Sequence, residues 1–259
     1  MLWRVGKGGR TSWLVGTAHI SPCSFQGSLA GIIGPAEHVL CEGPLDRTNM
    51  AKVVRAGTDP DYRSPLLTDL DRRTLDRIAR RTGLLRCRTA ALDLLGAELM
   101  AEVIRNLKPW LAFFNLWFRY LSREGWEFSV DRQAWETAER LGKNLVSLET
   151  IEEQIQVLES LSYDHIKAFL KRVDDWPVFA ESYAKWYLKG DLARIKANPN
   201  GFPTRKPIVI NPRDGTLLER MRPFLEDGRA VVCLGAPHMW GIVRMLREEG
   251  YAVEGPPVP

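Results

Sequence analysis

The sequence predicts an α/β fold with a mostly parallel central sheet, strand–helix alternation and a large all-helical insertion. Short apolar runs of strand length recur near both ends of the 259-residue chain, and helix-like segments follow most of them. Between these runs, residues 46–143 show a helical spacing of apolar residues. We therefore expect a single domain, 1–259, in which 1–45 and 144–259 form the α/β core and 46–143 form the insertion.

The first 45 residues predict a hairpin, a short helix and a core strand. Residues 2–15 place a Gly-Lys-Gly-Gly turn between two apolar runs, which is the pattern of a β-hairpin. Residues 24–34 predict a short helix that ends at Gly34, because the proline that follows cannot continue it. Residues 37–41, Glu-His-Val-Leu-Cys, then predict a buried strand.

The insertion predicts several amphipathic helices. One apolar face comprises Leu66, Leu70, Leu75 and Ile78, and a second comprises Leu92, Leu95, Leu99, Val103 and Leu107. The run 109–118 is very apolar but far shorter than the roughly 20 residues that span a bilayer. It predicts a buried helix or a cleft wall, with a membrane-surface or partner contact as the alternative. Residues 131–141 predict a further helix, which ends at Gly142.

The carboxy-terminal part predicts three more core strands and a short final one. Their ranges are 144–148, 207–210, 230–234 and 251–253. Helices are expected between them, and the pair Thr150 and Glu153 predicts a capping box where the first of these helices begins. Further helices are expected at 216–225 and 241–249.

Composition argues against several classes of protein. The net charge is +4, from 36 basic and 32 acidic residues, and the two signs are interspersed, so no nucleic-acid partner is expected. The four cysteines form no Cys-x-x-Cys pair, which favours reduced thiols and argues against a thiolate zinc site. Neither a signal peptide nor a transmembrane segment is visible, so we expect a cytoplasmic protein, with homo-oligomerisation left open.

Five predicted strands each end at a polar residue or pair. In chain order these are His19, Glu42, Glu149, Arg213-Asp214 and His238. Gly16 and Gly235 precede the two histidines by three residues, and a glycine would let the backbone turn sharply toward the sheet edge. Because the carboxyl ends of parallel strands meet at one edge, and open α/β sheets bind ligands there, we expect these side chains to converge.

Two imidazoles and two carboxylates form a ligand set that divalent metals accept. The predicted ligands are His19, His238, Glu42 and Glu149. A metal in this position would lower the pKa of a bound water and polarise a carbonyl. Either glutamate or Asp214 could instead act as the catalytic carboxylate, and the sequence leaves open which is ligand and which is base. Arg213 could hold a substrate carboxylate or stabilise an oxyanion.

Each of these residues also has a purely structural interpretation. A single Gly-x-x-His is common in loops, and a lone histidine after a strand is more often hydrogen-bonded than a metal ligand. Glu42 or Glu149 alone could favour a helix amino terminus, and Arg213 alone could form a surface ion pair. Their shared position at strand ends favours a common polar site. We interpret His38 and His165 as structural.

Several longer segments carry a family resemblance that extends over nearly the whole chain. They are LWRV…LVGTAH, VLCEGP, GKNLVSLETIEEQI, SYAKWYLKGDLARI and LGAPHMWGIVRMLREEGYAV. Together they resemble the TraB/PrgY/GumN family, which includes the Tiki proteases and is related to the EreA (erythromycin-esterase) and ChaN-like folds. The resemblance implies an EreA/ChaN-like α/β core with a helical insert. For the Tiki branch it implies a metal-dependent peptidase that uses Mn or Co, with Zn as a further option.

The resemblance also implies roles for individual residues. The metal or catalytic candidates are His19, Glu42, Glu149 and His238. Gln154, in the LETIEEQ motif, would support them. The family's Arg-Asn pair corresponds to Arg213-Asp214, where an acid replaces the amide, and Asn211 is a candidate to compensate for that change. Asp131 matches an acidic position of the family and is interpreted as structural.

Three functions agree with these observations. The first is a metal-dependent, peptidase-like hydrolase that acts on a peptide or small carbonyl substrate, with a water as nucleophile. The second is a regulator that binds a peptide signal without turnover, through the aromatic helical segment 110–126. The third is a haem- or iron-binding protein, by analogy with the ChaN-like relatives.

Overall fold

A six-stranded sheet lies at the centre of the structure, a computed structural model that describes residues 1–84 and 93–256. The strands are β1 (Leu2–Lys7), β2 (Arg10–Thr17), β3 (His38–Cys41), β4 (Asn144–Ser147), β5 (Ala230–Gly235) and β6 (Ala252–Glu254). Their order across the sheet is β4-β3-β5-β2-β1-β6. The strands β4, β3, β5 and β2 pair in parallel, whereas β1 pairs antiparallel with both of its neighbours. The sheet is therefore mostly parallel, as predicted.

Helices surround this sheet, and six of the described helices lie in the sequence between β3 and β4. The helices are α1 (Gln26–Ile33), α2 (Arg47–Gly57), α3 (Leu66–Asp69), α4 (Arg72–Arg81), α5 (Asp93–Ile104), α6 (Pro109–Arg123), α7 (Val130–Arg140), α8 (Ile151–Glu159), α9 (Tyr163–Lys171), α10 (Trp176–Lys189), α11 (Leu192–Ala197), α12 (Pro207–Asp227) and α13 (Met239–Glu248). Short 3-10 turns lie at Val173–Asp175, Pro203–Arg205 and Ala236–His238. Across the described ranges, no helix combines the length and the apolar character needed to cross a membrane.

Both faces of the sheet are buried, because alternate side chains of the central strands pack into different clusters. Val231 and Cys233 of β5 join the large cluster that contains the helices of the insertion. Val232 and Leu234 join a smaller cluster with α12 and α13. This two-sided burial explains why the central strands read as continuous apolar runs. The thiols of Cys23, Cys41 and Cys233 are free, as expected, and Cys87 lies outside the described residues.

The predicted strand at 207–210 is wrong, because these residues begin the 21-residue helix α12. Pro207 stands in the first turn of that helix, where its missing N–H and fixed φ are tolerated. Ile208 is 82% exposed whereas Ile210 is buried, which is the burial of an amphipathic helix rather than of a core strand. Arg213 and Asp214 therefore lie inside a helix and not at the end of a strand.

The two apolar faces predicted for the insertion have different outcomes. The first is confirmed, since Leu66, Leu70, Leu75 and Ile78 are all buried, although they are shared between α3, α4 and the turn that joins them. The second is wrong in α5, where Leu99 and Val103 are exposed and the buried residues are Ala97, Met100 and Ile104. The buried positions are thus displaced along the helix from the predicted ones. Leu92 and the side chain of Leu95 lie outside the described part of the chain.

The predicted capping box at the start of α8 is confirmed. The Thr150 hydroxyl accepts a hydrogen bond from the Glu153 N–H, and the Glu153 carboxylate accepts one from the Thr150 N–H. Arg220 of α12 forms a bidentate ion pair with the same carboxylate, in which Nη2 donates to Oε1 at 2.7 Å and Nη1 donates to Oε2 at 2.8 Å. The Arg220 hydrogen bonds, followed by the backbone hydrogen bond, lower the pKa of Glu153 to about 2. The charged form of this carboxylate therefore stabilises the junction between α8 and α12.

We expect Glu153→Gln to lower the free energy of unfolding by roughly 0.5–1 kcal/mol at pH 7, since the side chain is partly exposed and solvent screens its ion pair. Because folding lowers the pKa of Glu153 from 4.5 to about 2, its contribution is fully present above pH 4.5 and is lost as the pH falls toward 2. Urea unfolding of both proteins at pH 7, 4 and 3 measures this difference. Glu181→Gln, on the exposed face of α10, is the matched control. A difference that persists unchanged at pH 3 would contradict this interpretation.

Candidate functional site

Four parallel strands deliver polar residues to one edge of the sheet. His19 follows β2, Glu42 follows β3, Glu149 follows β4 by one residue, and His238 ends the 3-10 turn that follows β5. The strands β4, β3, β5 and β2 are neighbours, so their carboxyl ends lie side by side. His19, Glu42 and His238 line one cavity of about 100 Å³, together with Arg213 from α12. The structure therefore brings residues separated by more than half the chain into one cleft.

Arg213 joins the two glutamates of this edge. Its Nε donates to Glu149 Oε1 at 2.7 Å, and its Nη2 donates to Glu149 Oε2 and to Glu42 Oε1, each at 2.5 Å. All three side chains are largely buried. A buried carboxylate that lacked a cation beside it would carry a large desolvation penalty. The Arg213 guanidinium and the two carboxylates therefore compensate one another for the hydration that each loses on burial. Burial lowers the pKa of Arg213, but both glutamates outweigh it and raise the pKa above its usual value.

Glu42 occupies the centre of the site. Its Oε2 accepts a hydrogen bond from the Gly235 N–H at 2.9 Å, and its Oε1 lies 3.8 Å from His238 Nε2. Burial alone would raise the pKa of Glu42, but His238, Arg213 and His19 together lower it well below its usual range. Glu42 is therefore a carboxylate that carries its negative charge at neutral pH.

Asp214 holds the imidazole of His238. The Nδ1 atom of the ring lies 2.6 Å from Asp214 Oδ1, and both side chains are almost completely buried. Asp214 packs so closely on α13 that a Cβ at Gly241 would lie on its Oδ2 atom. This contact fixes the carboxylate, and the carboxylate in turn fixes the ring so that Nε2 points toward Glu42.

Asp131 holds the imidazole of His19 in the same manner. His19 Nδ1 lies 3.0 Å from Asp131 Oδ2, and the other oxygen of Asp131 accepts a hydrogen bond from the Thr17 hydroxyl. The charge of Asp131 raises the pKa of His19 to about 9, with support from this hydrogen bond and from Glu42, and against desolvation and the charge of Arg205. The His19 side chain is 64% exposed, so it forms the accessible rim of the cleft.

The two glycines that precede His19 and His238 by three residues do not provide a left-handed backbone. Neither Gly16 nor Gly235 has a positive φ. Each instead permits a close approach: a Cβ at Gly235 would lie 3.1 Å from Glu42 Oε2, and one at Gly16 would lie 3.2 Å from side-chain atoms of Met1 and Met239. Gly235 thus packs directly against the Glu42 carboxylate, to which it also donates its N–H.

The predicted site residues divide into two groups. His19, Glu42, Arg213 and His238 line the cleft, whereas Glu149 is 6% exposed and lies behind Arg213. Both oxygens of Glu149 accept hydrogen bonds from that guanidinium, so Glu149 holds the Arg213 side chain in position.

The remaining candidates support the cleft or lie apart from it. Gln154 Nε2 donates to Glu149 Oε2 at 3.5 Å, which places it behind the same ion pair. Asp214 contacts the site through His238 and does not line the main cleft. Asn211 is exposed and lies at a separate small cavity, so it does not stand in for the missing amide.

Sequence reasoning missed the position of Asp131 and the presence of Arg205. Asp131 was interpreted as structural, whereas it lies against His19 across 112 residues of sequence. Its only signal in the sequence is the family resemblance, because no spacing rule links it to a histidine so far away. Arg205 lines the cleft from the 3-10 turn Pro203–Arg205, and nothing in its local sequence distinguishes it from other basic residues.

A second group of potential ligands lies at the opposite edge of the sheet. In the part of the chain that the structure describes, Glu37, His38 and Asp227 form the one trio whose donor atoms all lie within 4.8 Å of one another. These residues are exposed or half-buried, and other side chains of the protein already contact two of them. Arg229 forms an ion pair with Glu37, and Asn144 lies 2.8 Å from His38 Nδ1. They form an ordinary network of surface polar contacts, whereas the side-chain N and O atoms of His19, Glu42 and His238 do not all lie within 4.8 Å of one another.

The chemistry of the cleft residues fits a divalent cation. Each imidazole has its Nδ1 on an aspartate, which is the arrangement by which proteins orient a histidine to bind metal through Nε2. The cleft and its immediate surroundings hold four carboxylates, those of Glu42, Asp131, Glu149 and Asp214, and two guanidiniums, those of Arg205 and Arg213, which gives a formal charge of −2 while both rings are neutral. Such an excess of buried negative charge requires a proton or a cation to balance it. His19, His238 and Glu42 are therefore the side chains that could hold a metal.

A model of the TraB/PrgY/gumN family matches residues 1–255. No curated protein and no solved structure matches the chain. The family match covers nearly every residue, and it includes both Gly-x-x-His units and all four strands that carry the cleft residues. The resemblance seen in the sequence is thus confirmed, and the chain belongs to the TraB/PrgY/gumN family.

Proposed function

We propose that the protein is a metal-dependent hydrolase that cleaves a peptide or another small carbonyl substrate in this cleft. The observation that carries the proposal is the pair of imidazoles, each oriented by an aspartate on Nδ1, beside the anionic Glu42. Three such donors are the number that catalytic metal sites supply while leaving a position for water.

A divalent ion such as Mn, Co or Zn, when bound, lowers the pKa of water and polarises a carbonyl. Hydrolysis then joins the water oxygen to the carbonyl carbon, breaks the C–N bond and leaves the amine with a proton. The protein residues have separate tasks. Asp131 and Asp214 hold the histidine rings, and Glu149 holds Arg213 beside Glu42.

Arg213 is the candidate to stabilise the oxyanion. Its Nε and Nη2 atoms are used by the glutamates, while Nη1 carries no hydrogen bond within the described ranges, and the side chain lines the cleft. A fixed guanidinium whose Nη1 still has both N–H donors unused can bind charge that develops on a carbonyl oxygen without rearranging. The two glutamates thus leave Arg213 rigid and still able to reach a substrate.

The test of this proposal combines metal analysis with a peptide-hydrolysis assay. Wild-type protein loaded with manganese or cobalt is expected to retain a stoichiometric amount of metal and to cleave members of a peptide library. His19→Ala and His238→Ala are expected to lose the metal and to lower kcat/KM by roughly a thousandfold, because the ion supplies several kcal/mol of transition-state stabilisation.

Two histidines outside the cleft are the matched controls. His165→Ala removes an exposed imidazole from α9, and His38→Ala removes the imidazole of the trio at the opposite edge. Both are expected to retain metal and activity. Equal activity in wild type, His19→Ala and His238→Ala would overturn the proposal. Loss of metal in His38→Ala alone would mean that the metal binds at the other edge of the sheet.

A regulator that binds peptide without turnover is the second candidate, and the apolar wall of the cleft favours it. Phe114, Trp117 and Phe118 of α6 line the cavity, so this part of the predicted aromatic segment does face the cleft. Aromatic surface binds peptide side chains whether or not catalysis follows. Tight stoichiometric binding of a peptide, with no product after prolonged incubation with manganese, would favour this function over the hydrolase.

A further inference from the structure

Arg205 is a cation of the cleft that the hydrolytic chemistry does not use. It ends the 3-10 turn Pro203–Arg205, and its guanidinium carbon lies 3.6 Å from the ring centre of Tyr183 and 4.3 Å from that of Phe202. Both rings also line the cleft. Contacts with two aromatic faces hold a guanidinium in place and leave its N–H edge available.

Among the described residues, none supplies a counterion to the charge of Arg205. Over residues 1–84 and 93–256, neither a hydrogen bond nor an ion pair holds its side chain, and its contacts are with the two rings. Arg213, by contrast, is bound by two carboxylates. A half-buried guanidinium without an anion lacks full compensation for its lost hydration, and burial accordingly lowers the pKa of Arg205. An anionic ligand would supply that compensation.

Much of the cavity that Arg205 lines is aromatic. Its lining includes Phe114, Trp117, Phe118, Trp126, Phe179 and Phe202. Arg205 is also close enough to His19 for its charge to lower the pKa of that imidazole, so the two side chains act in the same space. The cleft therefore combines the guanidinium of Arg205, which no described residue pairs, with aromatic side chains and the proposed reaction centre.

We propose that Arg205 binds the terminal carboxylate of a peptide whose last residue has an apolar side chain. A carboxyl-terminal apolar residue carries an anion and an apolar group on the same α-carbon, which matches a guanidinium set among aromatic rings. An internal Asp or Glu would bring an anion without the adjoining apolar group. Binding of the terminal carboxylate does not depend on the proposed function. Only its consequence for hydrolysis does, namely that the bond cleaved lies close to the peptide's carboxyl terminus.

Binding in the absence of turnover tests this inference. Isothermal titration calorimetry in a metal chelator is performed with Gly-Gly-Phe, its carboxy-terminal amide, and Gly-Gly-Gly. Wild-type protein is expected to bind Gly-Gly-Phe roughly ten- to a hundredfold more tightly than the amide, the range of one or two charge-assisted hydrogen bonds. Gly-Gly-Gly is expected to bind more weakly than Gly-Gly-Phe, because it leaves the aromatic wall unfilled.

Three variants separate the role of Arg205 from general effects. Arg205→Gln is expected to bind the acid and the amide equally, and Arg205→Lys is expected to retain part of the preference. Arg244→Gln, on the exposed face of α13, is expected to bind as wild type does. Circular dichroism checks that each variant is folded. If Arg205→Gln were unfolded, the acid-to-amide ratios of wild type and Arg205→Lys would decide.

The contrary results are distinct from failure of the proposed function. Equal binding of acid and amide by wild type, no binding of any of the three peptides, or an unchanged preference in Arg205→Lys and Arg205→Gln would overturn the role of Arg205. Absence of hydrolysis in the metal-loaded protein, with the carboxylate preference intact, would remove the hydrolase and leave this binding site standing. Hydrolysis without any preference for the free carboxylate over the amide would leave the hydrolase standing and remove the role of Arg205.

Discussion

Arg213→Met is expected to lower the free energy of unfolding by about 3–5 kcal/mol, the usual cost of removing one partner from a buried ion pair. The substitution keeps much of the side-chain volume but leaves Glu42 and Glu149 facing each other without a cation, at 14% and 6% exposure. Two adjacent buried carboxylates then repel each other and lose the hydration they had in the unfolded chain. Urea unfolding at pH 7, followed by circular dichroism, measures the loss.

A second substitution identifies the cause of that loss. Adding Glu149→Gln to Arg213→Met removes one of the unpaired charges, and we expect it to restore about 1–2 kcal/mol. Arg220→Met is the control, because it removes an arginine from the same helix whose ion pair with Glu153 is partly exposed, and it should cost at most about 1 kcal/mol. Equal losses in Arg213→Met and Arg220→Met would mean that burial does not govern the Arg213 network.

Gly241→Ala is expected to displace Asp214 from His238 and to destabilise the protein by about 2–3 kcal/mol. The added Cβ would lie far inside van der Waals contact with Asp214 Oδ2. Asp214 is a buried side chain on a packed helix, so its carboxylate cannot simply rotate into solvent. With its carboxylate moved, the ring of His238 loses its hydrogen-bond partner on Nδ1. We also expect manganese affinity to fall roughly ten- to a hundredfold, as when a partner of a metal-binding histidine is lost.

Gly215→Ala provides a matched control for this substitution. Gly215 is also a helical glycine, in α12 beside Asp214, but a Cβ there meets no atom within 4 Å. Alanine is favoured over glycine in helices by about 1 kcal/mol, so this variant should be slightly more stable than wild type. Thermal unfolding and a manganese titration of both variants measure the two effects. Normal metal affinity in Gly241→Ala would show that Asp214 does not need its observed position.

Much of the sheet could be predicted because buried parallel strands leave a local signal. The apolar runs that precede His19, Glu42 and His238 are β2, β3 and β5, and the parallel pairing rule then places those side chains at one edge. The same signal failed at 207–210, where β-branched residues begin a helix. A short apolar run does not distinguish a strand from one buried turn of helix, and here Pro207 was the better indicator.

The contacts that orient the site could not be read from the sequence. Asp131 reaches His19, and Asp214 reaches His238, only because α7 and α12 pack where they do. No periodicity encodes such a pairing, since it depends on tertiary packing over more than 20 residues. Arg205 was missed for the same reason: its partners Tyr183 and Phe202 are ordinary aromatic residues until the fold places them around it.

The strand order has a consequence for the growing polypeptide on the ribosome. The strand β5, close to the carboxyl terminus, is inserted between β3 and β2 and is the sole bridge between those two strands in the described sheet. Until Ala230–Gly235 emerges, β2 with β1 and β3 with β4 are two separate pairs, and His19 and Glu42 have no common scaffold. The cleft therefore cannot assemble before β5 has been synthesised, so the strands that precede it in the chain do not form the site on their own.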